Sequence, residues 1–211
     1  MTNFKTEQEN FWAESFGNEY VDRNANINLV AANLALFSQI FRQTQKIDSV
    51  IEFGSNIGLN LLAISQLLPK AQLSAVEINQ KAVDQMAKIG GGKVNIYTQS
   101  VLDFRVDFQR NFVLIKGVLI HINPEYLNQV YDLLYQTSNK YICICEYYNP
   151  TPVEVSYRGH QGKLFKRDFA GEIMDKFNDL ELIDYGFVYH RDYQFPQDDM
   201  NWFLVKKSNL V

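Results

Sequence analysis

The sequence predicts an α/β fold: a mostly parallel open sheet with helices on both faces and an antiparallel C-terminal strand. Three observations carry this. Val50-Ile51-Glu52-Phe53-Gly54-Ser55-Asn56-Ile57-Gly58 reads as a buried strand that turns through glycines into a helix, with an acid near its end. Ala75-Val76-Glu77-Ile78 closes a second strand with another acid. Strand and helix patterns then alternate as far as a last pair of strands, as in a sheet built from crossover units.

The elements follow in order. Thr6 to Phe16 reads as a short helix carrying Phe11, Trp12 and Phe16, with Thr6 and Glu9 spaced as a capping box. Gly17 to Asn24 reads as a turn-rich connection. Asn26 to Gln45 reads as a long helix, because Ile27, Val30, Leu34, Phe37 and Phe41 recur at helical spacing. Strands are expected at 49–53, 72–77, 93–98, 111–116 and 140–147. The helices between them are expected at 58–68, stopped by Pro69, at 80–89, ended by Gly90-Gly91-Gly92, and at 124–137, with Pro124 at the first position and Asn123 as cap. Tyr148 to Lys166 is polar and aromatic without periodicity. A helix at 167–177 and strands at 180–188 and 201–207 complete the chain. One domain is expected over 1–211, with a helical cap (1–47), a cofactor-binding core (48–147) and a substrate-side segment with the terminal strands (148–211).

Bulk properties narrow the function. The 211 residues suit one domain with a full core. A net charge of -4 gives no basic field for nucleic acid. No apolar run is long enough to span a bilayer, and Met1 to Glu9 lacks an apolar signal core, so a soluble cytoplasmic protein is expected. Cys143 and Cys145 lie two apart in an apolar strand and read as buried thiols. No pair of histidines has metal-ligand spacing, so no metal is expected.

The glycine turn defines a cofactor site, since ligands of such sheets bind at the carboxyl ends of the strands. Gly54 permits a sharp turn, and Gly58 permits close approach of helix and strand. Glu77 ends the second strand, where a carboxylate accepts two hydrogen bonds from a ribose diol. A dinucleotide site wants Gly-x-Gly-x-x-Gly and a pyrophosphate at the helix N-terminus. Here the spacing is Glu52-x-Gly54-x-x-x-Gly58 with Asn56 between. An acid at Glu52 repels a pyrophosphate and favours a ligand with an ammonium group, which points to S-adenosylmethionine.

Over Ser49 to Glu146 the chain resembles the class I S-adenosylmethionine-dependent methyltransferases, a Rossmann-like family. Val50 to Gly58, with Ser55 inside it, resembles the glycine motif. Val76-Glu77-Ile78 resembles the ribose-binding acid with its apolar neighbour beside the adenine. Gln99-Ser100-Val101-Leu102-Asp103-Phe104 resembles the adenine-edge motif. Phe112 to Ile122, including Lys116 and Gly117, resembles the fourth strand and the loop over the methionine moiety. The family commonly has an acid at the position of Ser100, so adenine readout falls here to Ser100, Asp103 or backbone groups.

A second resemblance covers nearly the whole chain. Thr6 to Trp12, Phe16 to Tyr20, Arg23-Asn24, Lys116 to Pro124, Glu146 to Pro150, Tyr157 to His160 and Lys163 to Glu172 are similar to the methylases associated with pseudaminic acid biosynthesis. That resemblance implies a sugar or nucleotide-sugar substrate from surface glycan biosynthesis. Arg158, His160, Lys163, Lys166 and Arg167 form a local basic cluster that suits either a phosphate or carboxylate or an ordinary solvated face. Tyr147, Tyr148 and Tyr157 suit stacking on a base or sugar.

For methyl transfer, His121 is the leading base, its ordinary pKa lying near neutrality; the alternative is that it packs or caps the next helix. Trp12 and Tyr20 suit a lid over the sulfonium, and Arg23 suits the methionine carboxylate; for Trp12 the packing of the first helix on the sheet is the favoured reading. Rival functions are an NAD-dependent oxidoreductase and a noncatalytic S-adenosylmethionine-binding subunit. A nucleic-acid methylase is disfavoured, since Asn149-Pro150-Thr151-Pro152 follows the wrong strand.

Overall fold

The structure, a computed structural model, describes residues 4–24, 26 and 28–208. Short runs of branched apolar residues bury their backbone polar groups only by pairing side by side. The strands are β1 (Ser49–Phe53), β2 (Gln72–Glu77), β3 (Val94–Thr98), β4 (Arg110–Lys116), β5 (Ser138–Glu146), β6 (Val153–Glu154), β7 (Phe165–Lys166), β8 (Leu180–Val188) and β9 (Met200–Lys207). The helices are α1 (Glu7–Ala13), α2 (Ser15–Arg23), α3 (Leu29–Phe41), α4 (Leu59–Leu67), α5 (Gln80–Ile89), α6 (Leu127–Thr137) and α7 (Phe169–Lys176).

Seven strands form one sheet in the order β3-β2-β1-β4-β5-β9-β8. The first five pair in parallel, and β9 runs antiparallel between β5 and β8. Successive residues of a strand face opposite sides, so β1 divides its side chains between two cores. Val50 joins Phe112, Leu114, Tyr141 and Trp202 under α3, α4 and α5. Ile51 and Phe53 join Val113, Ile115, Ile142 and Val205 under α6 and α7. The strand order reverses between β1 and β4, which opens the crevice where this architecture takes ligands.

The N-terminal region departs from the sequence-based expectation. Residues 17–24, expected as a connection, lie mostly in α2: Phe16, Tyr20 and Val21 form a face that packs, and packing outweighs the weak helix propensity of Gly17 and Asn18. The third helix is shorter than 26–45. The Asn26 Oδ1 accepts the Asn28 N–H at 3.0 Å, a local bond that competes with helix. At the other end the Gln45 N–H donates to the Tyr141 hydroxyl at 3.0 Å as the chain heads for β1. Ile27, expected on that helix, lies outside the described residues.

Smaller departures occur elsewhere. Pro124–Tyr126 is a 3-10 turn before α6, with the Asn123 side chain accepting from the Glu125 N–H at 3.0 Å. The aperiodic segment 148–166 contains the hairpin β6–β7. Cys143 and Cys145 are buried free thiols on one face of β5, 3.7 Å apart at Sγ.

Candidate functional site

A cavity of about 470 Å3 lies at the carboxyl ends of β1, β2 and β4, within the ~300–1,000 Å3 range of small-molecule sites. Its floor is the glycine turn, where Gly54 and Asn56 have φ of 72° and 47°. The two motif glycines serve protein contacts. A Cβ on Gly54 would stand 2.3 Å from Val118 Cγ2, in the loop after β4. Gly58, at φ 81°, begins α4, and a Cβ there would stand 2.6 Å from Met86 Cγ on α5. Close approach is therefore needed between loops and between helices, where the sequence suggested a ligand and a strand.

Glu77 is held in place by the turn itself. Its Oε2 accepts the Asn56 N–H at 2.7 Å and its Oε1 the Asn79 N–H at 2.8 Å. Each oxygen keeps a second acceptor position, which is what a vicinal diol needs. Burial pushes the carboxyl above its ordinary pKa, opposed by those two N–H groups. Ile78 lines the cavity on one side of this acid.

Glu52 is fully buried below the floor and does not line the cavity. Its Oε1 accepts from Asn60 Nδ2 at 2.6 Å, while Oε2 has no partner. Burial raises its pKa to about 8, with Asn60 and the Lys116 charge acting against that rise. Because the Asn60 amide donates to Glu52, its oxygen is left as an acceptor, and Asn60 does line the cavity. Lys116 and Gly117 line it too, and the Lys116 ammonium makes no ion pair among the described residues. An acceptor backed by an acid thus shares this end of the cavity with a free cation, a combination suited to a zwitterion.

The other end carries Ser100, Val101 and Leu102. Asp103 is exposed and lies outside, paired with Lys5 at 2.5 Å. The Ser100 hydroxyl donates to Glu9 and accepts the Leu102 N–H at 3.0 Å. Glu9 is buried, closes the capping box with Thr6 and lines the cavity.

His121 follows β4 on a 3-10 turn, Leu119–His121. That turn is fixed by Glu146, whose Oε1 accepts the Val118 and Leu119 N–H groups at 2.9 and 2.8 Å. The His121 Nδ1 lies 2.6 Å from the Lys163 carbonyl. A carbonyl only accepts, so Nδ1 carries the proton and Nε2 keeps its lone pair. Burial lowers the pKa to about 4, so the ring is neutral at neutral pH. Trp12 lies against it at 4.5 Å between ring centroids, with Tyr157 at 5.0 Å on the same ring. Trp12 also meets Tyr20 edge-on at 5.1 Å, and both line the cavity. The first helix therefore roofs the crevice.

The remaining expected substrate residues are placed differently. Arg23 pairs with Glu19 at 3.4 Å and sits over the Phe16 ring, outside the cavity. Lys163 is buried and pairs with Glu7 at 2.8 Å. Arg167 pairs with Glu172 at 2.6 Å. The basic cluster is thus partly neutralised within the chain. Arg158 and His160 are exposed; His160 packs edge-on against Phe11 and Phe16. Tyr147 lies under Lys166 at 5.0 Å and close to Asp198, and burial raises its pKa. None of Tyr147, Tyr157, Arg158, His160 or Lys163 lines the cavity.

Several lining residues had no place in the site expected from sequence: Glu9, Asn33, Asn60, Asn79, Gln197 and Asp198. Asn79 ties the roof to the floor, donating to the Trp12 carbonyl at 3.1 Å and to Asn18 Oδ1 at 3.0 Å. The Gln197 amide donates to the Ala32 carbonyl at 2.9 Å, joining the loop before β9 to α3. Only Glu9 and Asn79 had a local signal, as cap residues of α1 and α5. No metal-ligand cluster of three or more His, Cys, Asp or Glu side chains occurs among the described residues.

No family model and no curated protein sequence matches the chain. Solved structures do match. Magnesium protoporphyrin IX methyltransferase (ChlM) from Synechocystis PCC 6803, with bound SAH (S-adenosylhomocysteine), superposes with a TM-score of 0.68 at 14% identity, over 97% of this chain and 100% of that one. The plantazolicin methyltransferase BpumL in complex with SAH gives 0.66 at 14% identity, over 95% and 94%. The DhpI–SAH complex gives 0.63 at 12% identity, over 96% and 97%. This likeness shows the fold: a Rossmann-like class I methyltransferase sheet, mostly parallel with an antiparallel strand near its edge.

Proposed function

We propose that the protein is an S-adenosylmethionine-dependent methyltransferase acting on a small molecule. One observation carries this reading: the cavity combines a carboxylate held for a diol (Glu77), an acid-backed acceptor (Asn60 over Glu52) and a free ammonium (Lys116). These fit, in order, a ribose, the ammonium of an amino acid and its carboxylate. The three solved structures named above contain SAH, and each shares the fold along nearly its whole length.

S-adenosylmethionine supplies a methyl group on a sulfonium whose departure leaves a neutral thioether. No anion has to be stabilised as it leaves, so alignment is the protein's main contribution. The glycine turn and Glu77 hold the nucleoside, and Lys116 holds the tail. Trp12 and Tyr20 exclude water from above. His121 receives the acceptor's hydroxyl or amine as a hydrogen bond at Nε2. With a pKa near 4 it orients that group and is a weak proton acceptor, which revises the neutral-range base expected from sequence.

The acceptor in this reading is a sugar or nucleotide-sugar of the pseudaminic acid type, on the strength of the sequence resemblance. Tyr20, Asn33 and Asp198 support it as lining groups that hydrogen-bond hydroxyls. The paired Lys163 and Arg167 carry no part in it. Incubation with methyl-labelled S-adenosylmethionine and a panel of free and nucleotide-linked sugars, followed by product mass, tests both levels. Label on a sugar product supports the reading; label on none, with SAH bound, leaves the noncatalytic alternative standing.

A further inference from the structure

We propose that Glu9 reads the base of the bound nucleoside, accepting a hydrogen bond from an exocyclic amino group. The inference rests on the methyl-donor reading and names a residue for it that no sequence motif indicates.

The cavity end beyond Glu77 is walled by Ile78, Val101 and Leu102, flat-ligand surroundings with few polar groups. Each polar group there can be accounted for in turn. The Ser100 hydroxyl is spent, its proton on Glu9 and a lone pair on the Leu102 N–H. The Leu102 carbonyl already accepts from Lys5 Nζ at 3.1 Å and Gln129 Nε2 at 2.8 Å. Gln8 lines the cavity too; its amide donates to the Gly162 carbonyl at 2.8 Å, and its oxygen is buried without a partner. Asp103 is outside.

Glu9 is what remains. It is 7% exposed, a rare position for an acid, and it lines the cavity. Its Oε2 accepts the Thr6 N–H at 2.9 Å, and its Oε1 accepts the Ser100 hydroxyl. A carboxylate offers about four acceptor positions, so Oε1 keeps one open. Two elements far apart in sequence therefore fix this group: the capping box of α1 from above and the turn after β3 from below. At the same end the Val101 N–H has no partner among the described residues. An acceptor and a donor together complement a base that presents an amino donor next to a ring-nitrogen acceptor. A hypoxanthine presents a carbonyl and a ring N–H there, and its carbonyl would face a carboxylate with no proton between them.

Calorimetric titration of the full chain with SAH and with S-inosylhomocysteine tests this, with Glu9→Gln as the variant. The wild type is expected to prefer SAH by about tenfold to a hundredfold, the range of a hydrogen bond to a charged group. Glu9→Gln can turn an amide N–H toward the carbonyl, so its preference is expected to collapse or reverse, S-inosylhomocysteine losing little. A wild type that binds both nucleosides equally overturns the proposal and leaves the methyl-donor reading intact, and that arm needs no variant to fold. Equal loss of both ligands in Glu9→Gln also overturns it, marking Glu9 as a structural clamp. Binding of neither nucleoside by the wild type removes the methyl-donor reading and this proposal with it.

Discussion

The floor and the roof of the crevice are built in opposite ways. The floor comes from two short stretches, 52–60 and 77–79, tied together by backbone N–H groups that donate to the Glu77 carboxylate at 2.7 and 2.8 Å. The roof is collected from α1, α2 and the loop before β9. It is pinned at scattered points: Asn79 to Trp12, Lys163 to Glu7, Gln8 to Gly162 and Gln197 to Ala32. A floor of this kind is part of the folding core. A roof of this kind can be lost with the sheet intact, so the ribose and tail contacts should depend on the floor, and base recognition by Glu9 and turnover on the roof.

The strongest challenge to that division is Gly54→Arg. The residue sits at φ 72° with Val118 in contact, so a side chain displaces both the turn and the loop that follows β4. SAH binding should vanish in calorimetry while far-ultraviolet circular dichroism stays that of a folded α/β protein. Glu77→Gln comes next. It removes charge and one acceptor from a group that also holds two backbone N–H groups, and affinity should fall by about 1.5–3 kcal/mol per bond lost. Deleting residues 1–24 is the test of the roof. Turnover should drop more than thermal stability, and collapse of all structure would show that roof and floor fold as one.

Two pH experiments sharpen the comparison with smaller effects. Burial raises Glu52 and Glu146 to about 8 each, so the folded chain holds protons that the unfolded chain has released above the ordinary carboxylate range. Their contribution to stability is present at low pH and is lost as pH rises toward 8. Melting temperatures of the unliganded protein should decline over that window, and Glu52→Gln should flatten part of the slope. An ammonium near Asn60 favours ionised Glu52, so donor affinity should rise over the same window. His121 is neutral throughout it, so kcat/KM should show no inflection from this residue between neutral pH and 8.

The same contrast governs what the sequence disclosed. β1, the glycine turn, β2 and Glu77 are contiguous, and their periodicity and punctuation carry the fold order and the floor almost residue by residue. α2 was hidden because Gly17 and Asn18 look like a turn, and only packing of Phe16, Tyr20 and Val21 makes it a helix. Glu9 meets Ser100 across 91 positions, and Gln197 meets Ala32 across 165. No local pattern encodes such pairs. In sequence the basic cluster is open between an anion site and a solvated face for a related reason: Glu7, which pairs with Lys163 across 156 positions, becomes visible as a partner only in three dimensions. Composition and spacing state which charges are present and leave open which are already spent.

The mechanism depends on what the crevice holds. Titrating the wild-type chain with SAH and, separately, with NAD in a calorimeter addresses that most directly. Saturable uptake of SAH at one site per chain, lost in Gly54→Arg, is the expected result. Heat on adding NAD, with none on adding SAH, would contradict it.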